Sequence, residues 1–531
     1  MPWLLIYFLG MLSGVSWALE SPAQTSAWYQ QRAALRKSRV ALEQGASEDR
    51  VARAARASRL IEELVAKATQ QGVGRDDADL ISLVSGVSLL DPAQNAPLSA
   101  LLLTLPEKTL ADAKQFKVWQ QTLEALRTDL LKPTEKLFKD ALEAGVPSVA
   151  RDCVDQALAL WPDHRNLRRN LGQIKFENRW YGPREAELTK LGQAWDEQLG
   201  WILVKDRERY ANGEYYDFQS KQWTTLEAAN ATRSELKNQW VIQTEHLVIQ
   251  GTAPLTALVD VANRIEAFYD RVFAAYSGFF LKVSGRKVSD EDFKVLFGTM
   301  RKDKGKGNDK RKGKDKDRDL LVVNVAKDKR AYVASLPSGV DAGWSAGMFI
   351  PMTRESYFYQ GIAEVVYHEF THQILHIFSG TNQAPSWLTE GAAVYTEAPV
   401  FESGRMILGE IEGNEHLSAF FQQMKAGKAL TLAKILALED GQEWRSSTTP
   451  ELNYSAAGML VEFCMESDNR RHRSDFLDFL RDSYLGNTSN YKVWDYLGMN
   501  YAAFDTAYSQ WIAEQAKLSA SAVPSAETPK R

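Results

Sequence analysis

The run His368-Glu369-Phe370-Thr371-His372 constrains this chain more than any other five residues in it. Side chains four apart on a helix lie over one another on one face, so the two imidazoles can meet a common partner while Glu369 sits beside them. The surrounding sequence supplies the helix. From Tyr357 to Phe378 it is mostly apolar and carries almost no charge except Glu364 and Glu369, and Ser379-Gly380 provides a stop. Buried ionisable groups are costly unless they are paired or metal-bound, so two imidazoles and a carboxylate on such a helix require a shared partner. The spacing suits a metal ion held by three protein donors, with a fourth position left for water and Glu369 placed to take that water's proton. It implies metal-dependent hydrolysis, with a peptide bond as the expected target.

A second cluster follows the turn residues Gly380, Asn382 and Pro385: Trp387-Leu388-Thr389-Glu390-Gly391-Ala392-Ala393-Val394-Tyr395 reads as the start of another helix. Glu390 lies eighteen positions beyond His372, enough chain for this helix to run back beside the first, with Gly391 allowing close approach. Two other residues compete for the third donor position. His376 is one turn past His372, but three donors from one straight helix fit a tetrahedron poorly, and its other role is that of a supporting or core histidine. Glu397 is seven residues after Glu390 and shares its face. Glu364, one turn before His368, is placed either to orient that imidazole or to remain solvated.

Together the two clusters resemble the gluzincin branch of the zincin zinc metallopeptidases, peptidase clan MA, where the His-Glu-x-x-His helix precedes a Trp-x-x-Glu-Gly-x-Ala-x-Tyr-like helix. The resemblance implies that His368, His372 and Glu390 are ligands of a Zn2+ ion, that Glu369 is the catalytic base, and that the substrate is a peptide or protein. Some gluzincins also use a Tyr beyond the third ligand as a donor to the developing oxyanion, and Tyr454 is the candidate here. The metzincin pattern is excluded, because Leu375 and Phe378 stand where it needs Gly and His. As a whole the chain is similar to uncharacterised secreted bacterial proteins with a clan MA domain of unknown function, a likeness that adds no substrate.

The 531 residues, 44% of them apolar, suffice for two to four domains, and the expected class is α+β, mainly helical. Residues 19–239 are rich in Ala, Leu, Glu, Arg and Lys with apolar positions every three or four, which predicts a helical N-terminal domain. Within it Val149 to Gln173 resembles one helix pair of a tetratricopeptide-like repeat, although no clean period recurs. Trp180, Trp195, Trp201 and Trp223, with Tyr181 and Tyr210, are expected to pack this half against the next. A catalytic domain is expected over 240–518. It opens with strands at Trp240–Gly251, Phe293–Gly298, Leu320–Val325 and Ala346–Pro351 and a helix at Leu255–Phe280. That order, a small mixed sheet ahead of the His-Glu helix, is also zincin-like, and Gly347–Ile350 is the candidate edge strand for binding an extended peptide. Helices are expected at Leu430–Leu438, Tyr454–Met465 and Ser474–Tyr484, followed by core aromatics Trp494, Tyr496, Phe504 and Trp511.

Residues 301–319 form a Lys/Arg-dominated low-complexity run without an apolar anchor, expected to be a solvated loop, and 519–531 a disordered tail. With Lys+Arg 64 against Asp+Glu 68 the net charge is -4, which argues against a nucleic-acid partner. Met1 to Ala18 is apolar and uncharged and ends in Ser16-Trp17-Ala18, which predicts a signal peptide and a periplasmic or secreted protein. The absence of Lys or Arg at its start keeps an uncleaved N-terminal anchor as the alternative. Cys153 and Cys464 are expected as buried thiols rather than a disulfide. The alternative of a different class is a non-catalytic exported protein whose helical half binds a partner. The joint presence of His368, Glu369, His372 and Glu390 weighs against it.

Overall fold

Helix Leu255–Ala275 buries Leu258, Ala262, Ile265, Phe268, Tyr269, Val272 and Phe273, one stripe at helical spacing, and on this stripe the sheet rests. The computed structural model describes residues 27–281, 320–340, 345–361, 363–402, 405–439, 449–488 and 490–521, with Val295 and Trp444. The architecture is α+β, mainly helical with a small mixed sheet.

The N-terminal helices Ala27–Gln70, Ala78–Leu90, Asn95–Leu102, Ala113–Glu143 and Pro147–Leu160 enclose a core around Ile61, Leu83, Trp119 and Leu131. The helical expectation fails beyond them. After the short helix Arg165–Asn170 the chain forms three hairpins: β1 (Ile174–Phe176) with β2 (Arg179–Tyr181), β3 (Gln193–Asp196) with β4 (Gly200–Leu203), and β5 (Glu214–Asp217) with β6 (Gln222–Thr225). Each is preceded by a glycine with left-handed φ: Gly172 (76°), Gly192 (78°) and Gly213 (82°). Such a residue ends a helix and turns the chain into an extended segment. Each second strand carries a tryptophan paired across the hairpin, Trp180 with Lys175, Trp201 with Trp195 and Trp223 with Tyr216, and each hairpin is followed by a helix. These are three copies of one hairpin-helix unit. Two of the aromatic residues expected to do so join the two halves, the Trp201 indole N–H donating to the Gln243 carbonyl at 2.9 Å and that of Trp195 to Asn263 Oδ1 at 2.9 Å, whereas the Trp180 indole donates to Asp163 within the N-terminal half.

The main sheet has the order β10-β11-β9-β8-β7. β7 (Trp240–Gln243) and β8 (Leu247–Gly251) are antiparallel, so the single strand expected at Trp240–Gly251 is a hairpin. Its turn is fixed by Glu266, which accepts from the His246 backbone N–H at 2.9 Å and from the Thr244 hydroxyl. β9 (Leu321–Ala326) runs parallel to both β8 and β11 (Glu355–Tyr359), and β10 (Gly347–Ile350) closes one end antiparallel to β11. β11 occupies residues read from the sequence as the start of the His-Glu helix. Gly361, at φ 93°, separates strand from helix, and the helix spans Ala363–Ser379. Except for Val295, which is buried and helical, the strand expected at 293–298 lies outside the described residues, as do 301–319 and Met1–Ala18. Helix Tyr501–Ser521 continues into the expected tail, whose remainder also lies outside them. Among the described residues no helix is long and apolar enough to cross a membrane. Cys153 and Cys464 are buried in separate helices, not in a disulfide.

Two polar contacts fix the arrangement. Arg32, Arg36 and Arg39 of the first helix reach Asp475 and Asp478 of helix Arg473–Tyr484, with Arg39 Nη1 at 2.9 and 2.8 Å. The first described helix is thereby joined to helix Arg473–Tyr484. Gln373, fully buried, joins the His-Glu helix to the sheet: its amide donates to the Val322 and Arg354 carbonyls, each at 3.0 Å, and accepts from Ser356 Oγ at 2.8 Å. Gln373→Leu keeps the volume but orphans all three groups. It should lower unfolding free energy by at least about 2 kcal/mol in denaturant titration, and a variant as stable as the parent would refute this anchoring role.

Candidate functional site

Helix Ser386–Thr396, which carries Glu390, is held on both sides. Against the His-Glu helix the hydroxyls of Thr371 and Thr396 lie 2.7 Å apart. On the other side runs helix Pro450–Arg470. A Cβ on Gly391 would come within 2.5 Å of the Ala457 carbonyl oxygen, and one on Gly458 within 2.4 Å of Val394 Cγ1. The close approach permitted by Gly391 is therefore to helix Pro450–Arg470, whereas the sequence reading assigned it to the His-Glu helix. The first turn is tied down as well, with the Ser386 and Trp387 N–H groups donating to the Glu439 and Leu438 carbonyls at 3.1 and 3.0 Å. These orphan helix-terminal donors are thus satisfied within the fold.

The result is a closed triangle of donor atoms. His368 Nε2 lies 3.2 Å from His372 Nε2 and 3.2 Å from Glu390 Oε2, and His372 Nε2 lies 3.3 Å from the same oxygen. Among the described residues this is the His/Cys/Asp/Glu group that could hold a metal ion. Burial alone would raise the Glu390 carboxyl, but the charges and hydrogen bonds of His372 and His368 hold it well below the usual carboxylate range. Burial works to lower His368, and its bonds to Glu390 and Glu397 outweigh this and raise it well above the ordinary value.

Glu369 lies beside the triangle. Its Oε2 accepts the Phe349 backbone N–H of β10 at 2.8 Å, so the expected base and the expected peptide-binding edge are in contact. Burial pushes its carboxyl up, against the lowering effect of the two imidazoles. Tyr454, on helix Pro450–Arg470, has its ring 5.9 Å from that of His368 and 5.3 Å from that of His416. Burial, together with the charges of Glu390 and Glu369, raises its hydroxyl well above the usual range, so it carries a proton to donate at neutral pH.

The competing residues separate clearly. Glu397 lies behind the triangle, its Oε2 2.9 Å from His368 Nδ1 and its Oε1 2.6 Å from His416 Nδ1. It fills the orienting place offered to Glu364, which is exposed at the start of its helix. His376 is outside the triangle, 5.4 Å ring to ring from Phe349, and burial followed by nearby Arg354 lowers its pKa. The sequence reading missed His416. The available signal was scarcity, since the chain has seven histidines in all.

Residues 362–484 match the model of a family described as a protein of unknown function (DUF1570). That stretch contains every residue of the site named here except Phe349 and Arg354. No curated protein matches the chain.

If the triangle holds a metal, Glu390→Ala should weaken zinc binding far more than His376→Ala, which should leave it unchanged. Glu397→Ala should cost about ten- to a hundredfold, the scale for a group that orients a ligand. Competition with a chromophoric chelator measures all three. Glu390→Ala matching the parent would remove that residue from the donor set.

Proposed function

We propose that this chain is a zinc-dependent peptidase of the gluzincin type, its sheet and His-Glu helix forming a zincin-like catalytic domain. The observation that carries the reading is the donor triangle. A tetrahedron's edge is about 1.6 times its centre-to-corner distance, so edges of 3.2, 3.2 and 3.3 Å correspond to about 2.0 Å from each donor to a common centre. Zinc bonds to imidazole nitrogen and carboxylate oxygen have this length. The donor chemistry agrees: two neutral imidazoles and one carboxylate leave a fourth position open, the composition of hydrolytic rather than structural sites. Zinc bound there would supply Lewis acidity, bringing the acidity of a water molecule to near neutral pH.

The protein's own groups do the rest. Glu369 accepts the water's proton as the scissile carbonyl is attacked and passes it to the departing amine. The Phe349 amide holds this carboxylate at the wall of the cleft. An extended peptide adds to the outer edge of β10, which has no strand beside it among the described residues. Tyr454 donates its hydroxyl proton to the oxygen on which negative charge develops.

Glu369→Gln should retain zinc and fold but lose peptide hydrolysis by at least about a hundredfold, the scale for a positioned general base. Metal analysis of purified protein and cleavage of a general peptide library supply the two readouts. A folded parent that takes up no zinc in the absence of chelators, or a Gln variant as active as the parent, would overturn the proposal.

A further inference from the structure

His416 lies on helix Glu415–Lys425, apart from the donor triangle, yet its placement is tightly determined. Asn414, 1% exposed, accepts the Leu417 N–H at 3.0 Å, capping that helix, and donates through Nδ2 to the Val394 carbonyl at 2.8 Å. One side chain thus fixes the helix start and docks it on the Glu390 helix, two residues from His416. The His416 imidazole then meets Glu397, 5% exposed, at 2.6 Å, while the other carboxylate oxygen meets His368 Nδ1 at 2.9 Å. The chain His416–Glu397–His368 spans three helices and ends on a metal donor.

We infer that His416 is a positioning residue, which fixes the Glu397 carboxylate so that the His368 ring is held through its Nδ1–H with Nε2 directed into the triangle. The inference rests on the zinc-peptidase reading for its consequence, but its physical content concerns the protein alone. An ionised carboxylate only accepts hydrogen bonds, so each imidazole facing Glu397 must present N–H at Nδ1. For His368 this leaves Nε2 as the ring nitrogen facing the triangle, where a metal ion would take the place of its proton. Each Glu397 oxygen has one imidazole partner, and a buried acceptor that loses its donor is left with an uncompensated desolvation cost. With His416 removed, Oε1 has no imidazole donor, the carboxylate can rotate away from His368, and that imidazole loses the bond that fixes its ring in the triangle. The effect reaches the metal donor without any contact between His416 and the triangle.

The test uses the full chain labelled with 15N-histidine, prepared without metal, and compares the parent with H416A and H416N. The His368 ring nitrogen signals are assigned by their loss in H368A. In the parent the Nδ1–H proton bonded to Glu397 should be slow to exchange with solvent. H416A should speed that exchange at least about tenfold, and H416N should restore the parent rate, because the asparagine amide can donate to Glu397 Oε1 where Nδ1 did. Zinc affinity by chelator competition should fall about tenfold in H416A and stay within about threefold of the parent in H416N. Thermal melts check that the variants remain folded. A folded H416A with the parent's exchange rate and affinity would overturn the inference, as would a folded H416N as deficient as H416A. A parent that binds no zinc while the variants show the predicted exchange pattern would overturn the peptidase reading and support the role of His416.

Discussion

The site depends on one helix crossing. Two donors can come from a single helix because they are four residues apart, but the third must arrive from another element, and its depth decides whether the set closes. Helix Ser386–Thr396 is wedged between the His-Glu helix and helix Pro450–Arg470, and the latter contact is close enough that a methyl group at position 391 would stand 2.5 Å from a backbone oxygen. Backbone has little room to yield, and protein interiors are packed too densely to absorb the shift elsewhere. A displacement of about 1 Å is half the length of a zinc–ligand bond. The absent side chain at Gly391 therefore bears on the position of Glu390 as directly as the carboxylate itself does.

The same packing concentrates charge where water is scarce. His368 and Glu397 are buried, and Glu369 and Glu390 sit partly buried beside them. Removing such groups from water is costly, and the cost is offset only when each atom meets an opposite charge or a hydrogen bond. Here the pairing is reciprocal: Glu390 faces both imidazoles, Glu397 faces His368 and His416, and Glu369 takes a backbone amide. Without a metal the imidazoles and carboxylates satisfy one another, which is why Glu390 is held low and His368 high. On the zinc reading the ion takes over the role of those shared protons, and the donors need little rearrangement to receive it.

What the sequence made legible follows the range of the interactions. The His-Glu helix and the helix after it are written in local periodicity and turn residues, and both lie close to where the residues placed them. The helix start was misplaced because Tyr357, Phe358 and Tyr359 satisfy an apolar helical stripe and a buried strand equally well, and only pairing with β9 decides between them. The hairpins of residues 174–225 escaped detection because strands of three or four residues are too short for a period of two to register. Their signal lay instead in the spacing of Trp180, Trp201 and Trp223, 21 and 22 residues apart, and of the glycines before each unit. The group behind His368 was beyond any local reading. Spacing offered Glu364, one turn away, but tertiary packing brought Glu397 from the end of another helix and His416 from a third.

Those hairpin units also explain why the two ends of the sheet are not equivalent. An exposed edge strand offers unpaired N–H and C=O groups to any extended chain, and proteins usually cover or interrupt it. At β7 the Trp201 indole takes up the Gln243 carbonyl, and Trp201, Tyr215 and Phe218 of the hairpin units line a shared hollow with Trp240 to Gln243. At β10 a backbone amide is bound instead by Glu369, a side chain of the site itself. Among the described residues β10 pairs with β11 on one side only, and that leaves its outer side as the sheet edge, next to Glu369. On the peptidase reading, an extended peptide that adds to this sheet would meet the edge where Glu369 lies, and its register there would be set by the pleat of β10, since alternate residues of an added strand must face the His-Glu helix.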